Sequence, residues 1–224
     1  MLINVANFVA KLTDDLSGPA RRFFGSAIPW VVTIVLVVSV SMGRAMMTEL
    51  PEPLPVLGAV PDFELTDQHG RRFGSEELRG KAWVANFIFT RCPTVCPAFT
   101  SKMARIQHRS RALGNAFHLV SFSVDPEHDT PERLAQFAKG YRVNPRAWSF
   151  VTGPIDEVKS VVIDGLKVAM GNEDPSGNFE GIFHGSHFVL VDPLGKIRGY
   201  YDSSEATAID NVLNDVGWLL RRGS

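Results

Sequence analysis

The stretch WVANFIFTRCPTVCP, Trp83 to Pro97, decides the fold. Its first part, Trp83 to Thr90, is an apolar run without alternation, the pattern of a strand buried on both faces of a sheet. Its second part holds Cys92 and Cys96, the only two cysteines among 224 residues. Pro97 suits a first helical turn and pushes Cys96 away from helical dihedrals. Cys96 is therefore expected at or just before a helix N-terminus, where unpaired N–H groups and the helix dipole favour a thiolate. Pro93 stiffens the loop between the two sulfurs.

Working outward, Ser101 to Leu113 reads as a helix with Met103 and Ile106 on its inner face. His118 to Val124 is a second buried strand. A helix then opens at Asp129-Thr130-Pro131, with Asp129 or Thr130 as the cap. Trp148 to Thr152 is a third strand and Ile155 to Val168 a third helix. Gly171 to Gly181 is a polar, glycine-bearing loop, a hairpin tip or flap. Phe188 to Asp192 and Ile197 to Tyr201 flank a Pro-Leu-Gly-Lys turn and pair as a hairpin, and Ala206 to Leu220 closes the chain as an amphipathic helix. Strands alternating with helices, then a hairpin and a last helix, predict an α/β fold with a mixed sheet covered by helices. That is the outline of a thioredoxin-like fold with extra elements.

Upstream, Phe23 to Gly43 carries no charged residue and is long enough to cross a bilayer as one helix. Arg21 and Arg22 precede it, which places the N-terminus in the cytoplasm and the following domain outside it. A cleaved signal peptide would have a shorter run that starts earlier, and Asp14 and Asp15 argue against a mitochondrial transit peptide. The expected organisation is a cytoplasmic segment over 1–22, a transmembrane anchor over 23–43, a proline-rich spacer over 44–59 and one domain over 60–224. The domain is then expected in the periplasm of a bacterial inner-membrane protein with a single pass.

Composition excludes some classes. Formal net charge is −1, with 45% hydrophobic and 21% charged residues, so the chain is globular and lacks the basic stripe that nucleic-acid binding needs. Two cysteines in one short loop are too few for a disulfide scaffold. The CxxxC spacing is one residue wider than the CxxC of thioredoxin-type redox motifs, which suits two thiolates around one metal ion without forbidding a disulfide. Two inert core cysteines are the bland alternative. Soft thiolates with an imidazole would select copper or zinc, and an iron–sulfur cluster would need more cysteines than the chain has. Among the histidines, His69 and His108 sit in polar surroundings, and His118 and His128 have weak claims. His184 follows a glycine-bearing loop and precedes the strand from Phe188, and His187 is its direct rival.

Three stretches resemble the Sco/SenC copper-binding family: FTRCPTVCP (89–97), SVDPEHDTPERL (123–134) and HGSHFVLVDPLGKIRGYYD (184–202). The resemblance implies a thioredoxin-like, membrane-tethered domain that binds copper through both cysteines and one histidine. It implies that Cys92, Cys96 and His184 are the ligands, His184 being matched by its distance to the Asp192–Gly195 turn. The implied role is delivery of copper to the dinuclear copper centre of cytochrome c oxidase, with a copper-receiving oxidase subunit or another copper or thiol protein as partner. Asp125 matches a family aspartate near the site, where it would orient ligands or adjust charge; taken without the resemblance it is a capping carboxylate. Two positions depart from the family: Phe183 stands where many members have aspartate before the ligand histidine, and Thr94 where some have aspartate between the cysteines.

Three readings compete. The first is a copper metallochaperone. The second is a thiol–disulfide oxidoreductase cycling Cys92 and Cys96 between dithiol and disulfide. A peroxidase of the peroxiredoxin type is the third, but it would have threonine three residues before its attacking cysteine, where Phe89 and Pro93 stand.

Overall fold

The computed structural model describes residues 27–47, 53–93, 95–168 and 187–222. The chain divides into two compact units, before and after the Pro53–Leu54 junction. In the first, α1 (Ala27–Met47) is a 21-residue helix whose first turn has no acidic residue. Among the described residues no helix is long and apolar enough to cross a membrane; the apolar run expected to do so begins at Phe23, before them.

The second unit is built on one eight-stranded sheet. In chain order its strands are β1 (Gly58–Ala59), β2 (Glu64–Asp67), β3 (Arg72–Gly74), β4 (Ala82–Ile88), β5 (Phe117–Ser123), β6 (Trp148–Thr152), β7 (His187–Val191) and β8 (Lys196–Asp202). Across the sheet they lie in the order β1-β8-β7-β4-β5-β6-β2-β3. The centre is parallel: β4 pairs with β5 and β5 with β6. The hairpin β7–β8 joins antiparallel to β4, and β2 joins antiparallel to β6. Every residue of β4, β5 and β6 is buried, which explains why these strands read as continuous apolar runs rather than alternating ones.

The helices of this unit are α2 (Ser75–Leu78), α3 (Val95–Arg109), α4 (Pro131–Lys139), α5 (Ile155–Lys159) and α6 (Ala208–Arg222). Helix α3 buries Cys96, Phe99, Thr100, Met103 and Ile106, a stripe at helical spacing, and the Phe99 ring lies 4.8 Å from that of Phe188 on β7. Helices α3 and α6 pack together, while α4 packs on β6 and α5 on β2. Thr130, not Asp129, caps α4: its hydroxyl accepts the Arg133 N–H at 3.4 Å and Pro131 takes the first helical position.

Several expected boundaries move. Helix α3 begins at Val95, six residues before the expected Ser101, so Cys96 sits inside its first turn. Pro97 is tolerated there because the first N–H groups of a helix have no intrahelical partner to lose. The expected helix Ile155–Val168 is α5 continued by a π-helical segment, Ser160–Gly165. Leu54 to Ala59, at the end of the expected spacer, joins the sheet: the Leu57 N–H donates to the Ile197 carbonyl at 2.9 Å, and Gly58 and Ala59 pair with Ile197 and Lys196. The loop 171–181 lies outside the described residues.

Candidate metal centre

The cysteine loop leaves the carboxyl end of β4. At its start the Cys92 N–H donates to the Phe89 carbonyl at 3.2 Å, turning the chain out of the sheet. At its end the Cys96 N–H donates to the Cys92 Sγ at 3.3 Å, so an unpaired N–H group of α3 is aimed at the first sulfur. The two cysteines are not joined in a disulfide; Cys92 is half-buried and Cys96 is 2% exposed. The helix N-terminus was expected to favour a thiolate at Cys96, but burial outweighs it. Desolvation, assisted by the neighbouring Cys92 and Asp129, pushes the Cys96 thiol up to about 12, against an opposing backbone hydrogen bond at Phe89.

Two aspartates from the segment after β5 frame this loop in different ways. Asp125 is tied to Arg91, the residue before Cys92: the Arg91 Nε and a terminal nitrogen both donate to its Oδ2, at 2.9 and 2.7 Å. Its other oxygen lies 3.0 Å from His128 Nδ1. Asp129 is fully buried. It accepts the Thr90 N–H at 3.1 Å, the Thr90 hydroxyl at 2.5 Å and the Ser123 hydroxyl at 2.6 Å. It thereby joins the exits of β4 and β5 two residues before Cys92. Burial raises its pKa, while those hydrogen bonds oppose the rise. Sequence reading had Asp129 only as a candidate cap; the available signal was a second carboxylate four residues after Asp125 in the same loop.

The histidines separate clearly. His118 is a core residue, its Nε2 3.0 Å from the Ser149 hydroxyl and its ring stacked near Phe73. His69 and His108 are exposed. His187 opens β7, which runs antiparallel to β4, so it lies at the end of the sheet from which the cysteine loop departs, opposite Asp202. His184, Phe183 and Thr94 lie outside the described residues. Among the described residues no three His, Cys, Asp or Glu side chains form a metal-holding group. What the structure brings together is the cysteine pair with Asp125 and Asp129 around it. Two soft thiols on one tight loop fit a soft metal ion.

A mixed sheet whose central parallel strand delivers a cysteine pair to a helix N-terminus defines a thiol protein of the thioredoxin-like class. Within that class, the chain belongs to the SCO1/SenC family, which it matches over residues 56–221. It is 35% identical over 163 residues to the SCO1 protein homolog of Bacillus subtilis, covering 72% of this chain and 83% of that one. The structure of BsSco, described with a disulfide switch and as a member of the Sco family of cytochrome c oxidase assembly proteins, superposes with a TM-score of 0.65 at 34% identity, over 76% of this chain and 96% of BsSco. Yeast Sco1 with copper bound superposes with a TM-score of 0.60 at 25% identity, over 71% and 89% of the two chains.

Proposed function

We propose that this chain is a copper metallochaperone, taking one copper ion through Cys92, Cys96 and His184 and passing it to the dinuclear copper centre of cytochrome c oxidase. The observation that carries the reading is the cysteine loop: two thiols held close on one short loop, with the Cys96 N–H donating to Cys92 Sγ. The copper-bound relative with the same fold supports the choice of metal. His187, the first residue of β7, lies at the end of the sheet that bears the cysteines, and His184 stands three residues before it in the chain, which supports His184 as the third ligand. Thiolates and an imidazole satisfy Cu(I) with three ligands, leaving room for an acceptor thiolate to join before a resident one leaves. Asp129 holds the loop and Asp125 fixes Arg91 beside it.

The test is a copper titration of the reduced chain beside its His184→Ala and His187→Ala variants. One copper per chain, with stoichiometry or the visible sulfur-to-Cu(II) band altered only by His184→Ala, supports the site. Equal copper retention after Cys→Ser replacement of both cysteines would overturn it.

The same reading includes an uncleaved anchor. Helix α1 carries no charged residue before Arg44 and exposes Trp30, Val31, Val32, Ile34 and Leu36, which supports contact with lipid. Its Thr33 hydroxyl is satisfied within the helix by the Pro29 carbonyl at 2.8 Å. The positive charge of Arg21 and Arg22 before the apolar run supports a cytoplasmic N-terminus and a periplasmic domain. Protease added to spheroplasts should remove the domain; its protection inside them would refute this orientation.

A thiol–disulfide role is the second reading. It is favoured by the asymmetry of the pair, a half-buried Cys92 open to a partner and a buried Cys96 placed to resolve the mixed disulfide. Two electrons would pass from the two thiols to a partner disulfide, leaving Cys92 joined to Cys96. His184→Ala should spare that reaction and damage copper binding.

A further inference from the structure

We propose that the end of the domain opposite the cysteine loop carries a second binding site, for a phosphate-bearing anion. Helix α3 starts at the cysteines and ends beside the amino end of β5, so its 15 residues, about 22 Å of helix, separate the two places. Beside its last turns lies a cavity of about 830 Å³, lined by Arg105, His108, Arg109, Arg111, Arg142 and Arg146 and by no aspartate or glutamate.

Five guanidinium groups around one cavity repel one another unless anions neutralise them. Arg109 is the only one of them with a carboxylate partner among the described residues, Asp210 at 2.6 Å on the surface. The Arg111 Nε donates to the His108 carbonyl at 2.9 Å, which orients it without neutralising it. The remaining planar, forked donors match phosphate oxygens in geometry as well as charge.

The cavity is also preformed. Gln107 on α3 spans to the facing loop: its Nε2 donates to the Arg142 carbonyl at 3.3 Å and its Oε1 accepts the Asn144 N–H at 2.8 Å. Asn144 in turn accepts the Arg146 N–H at 3.1 Å. Arg142 is held at a φ of 51°, a left-handed conformation uncommon for a residue with a Cβ. Arg142 and Arg146 are thus fixed on one wall while α3 fixes Arg105 and Arg109 on another.

A lipid headgroup and a free phosphate compound share this chemistry. The chain also enters the domain at this end of the sheet, because β1 pairs with the first residues of β8, which runs parallel to β4. The experiment is calorimetric titration of the full chain, in a maltoside detergent with matched micelle blanks. Three probes serve: inorganic pyrophosphate, dihexanoylphosphatidylglycerol and zwitterionic dihexanoylphosphatidylcholine. One anionic probe should bind once per chain, and the double variant Arg142→Glu/Arg146→Glu should weaken it at least about tenfold. Arg105→Glu/Arg111→Glu should do the same and decides the matter if the first variant is misfolded. Arg72→Glu/Arg79→Glu, with the same change in net charge elsewhere, should leave binding intact. Tighter binding of phosphatidylglycerol assigns the site to a lipid headgroup, and tighter binding of pyrophosphate to a free phosphate compound. No heat with either anion at millimolar concentration, equal binding of phosphatidylcholine, or equal weakening in the Arg72/Arg79 control would overturn the proposal.

Discussion

The two ends of the central strands are chemically opposite. At the carboxyl end of β4 and β5 lie the thiols with Asp125 and the buried Asp129; at the amino end lie the arginine-lined cavity and the buried His118, in hydrogen-bond contact with Ser149 on the neighbouring strand β6. One end holds carboxylates where a soft cation would sit, and the other holds guanidiniums where an anion would. Between them β4, β5 and β6 are buried along their whole length. The core is thus shared, while each end sets its own electrostatics. The buried titratable groups also differ in sign. Burial raises Asp129 and lowers His118, so folding shifts a carboxyl towards protonation at one end and an imidazole towards neutrality at the other.

The largest effect is expected at the cysteine end. Asp129→Ala removes the acceptor of the Thr90 N–H and of two hydroxyls in a fully buried site. Stranding those donors should cost about 4 kcal/mol, measured by urea unfolding, and should loosen the cysteine loop with it. A loss below about 1 kcal/mol would mean that the β4 and β5 exits are held by packing alone. The next effect belongs to the other end. His118 is lowered from 6.5 to about 4 by burial, with Lys81 adding repulsion. The unfolded chain therefore binds a proton that the folded chain refuses. Stability is full above pH 6.5 and falls as pH drops from 6.5 towards 4, by about 3 kcal/mol in all. Asp129 has the opposite sign: its raised folded pKa contributes stability below the unfolded value that is lost as pH rises through the folded one. His118→Gln should flatten the acid limb of the urea midpoint between pH 7 and 5. An unchanged limb would transfer the acid sensitivity to other groups.

The strands that carry this contrast were legible because burial on both faces leaves continuous apolar runs, as in Trp83 to Ile88 and Trp148 to Thr152. Strands β2 and β3 left no such mark. Glu64–Asp67 and Arg72–Gly74 are short strands at one side of the sheet, with Glu64 and Arg72 exposed, and strands of three or four residues with polar side chains look like polar loop. Cys92 and Cys96 were legible from their spacing and from Pro97; the early start of α3 was not, because a helix N-terminus needs no periodicity. Asp129 was read, with Thr130, as a candidate cap because Asp and Thr just before a proline-opened helix suit that position. Its actual partners, Thr90 and Ser123, are brought to it by strand pairing that no local pattern encodes. Leu54 to Ala59 read as spacer for the same reason, since its partner β8 lies far along the chain.

The smallest stability effect should come from the other aspartate, and it sharpens the contrast within the cysteine end itself. Asp125 shares its oxygens between Arg91 and His128, and Arg91 is partly exposed, so solvent competes for both. Asp125→Asn should therefore cost about 1 kcal/mol or less. Its effect should fall instead on the site, because Arg91 precedes Cys92 and releasing the guanidinium changes the charge beside the thiols. Under the copper reading, the Cu(II) band of Asp125→Asn shifts while its urea midpoint hardly moves, and Arg91→Ala reproduces the spectral change. Asp129→Ala should show the reverse weighting, with a large stability loss outrunning any spectral change. If both aspartates cost the same in stability, the buried one is not the anchor of the loop, and the division between a residue that holds the site and one that tunes it fails.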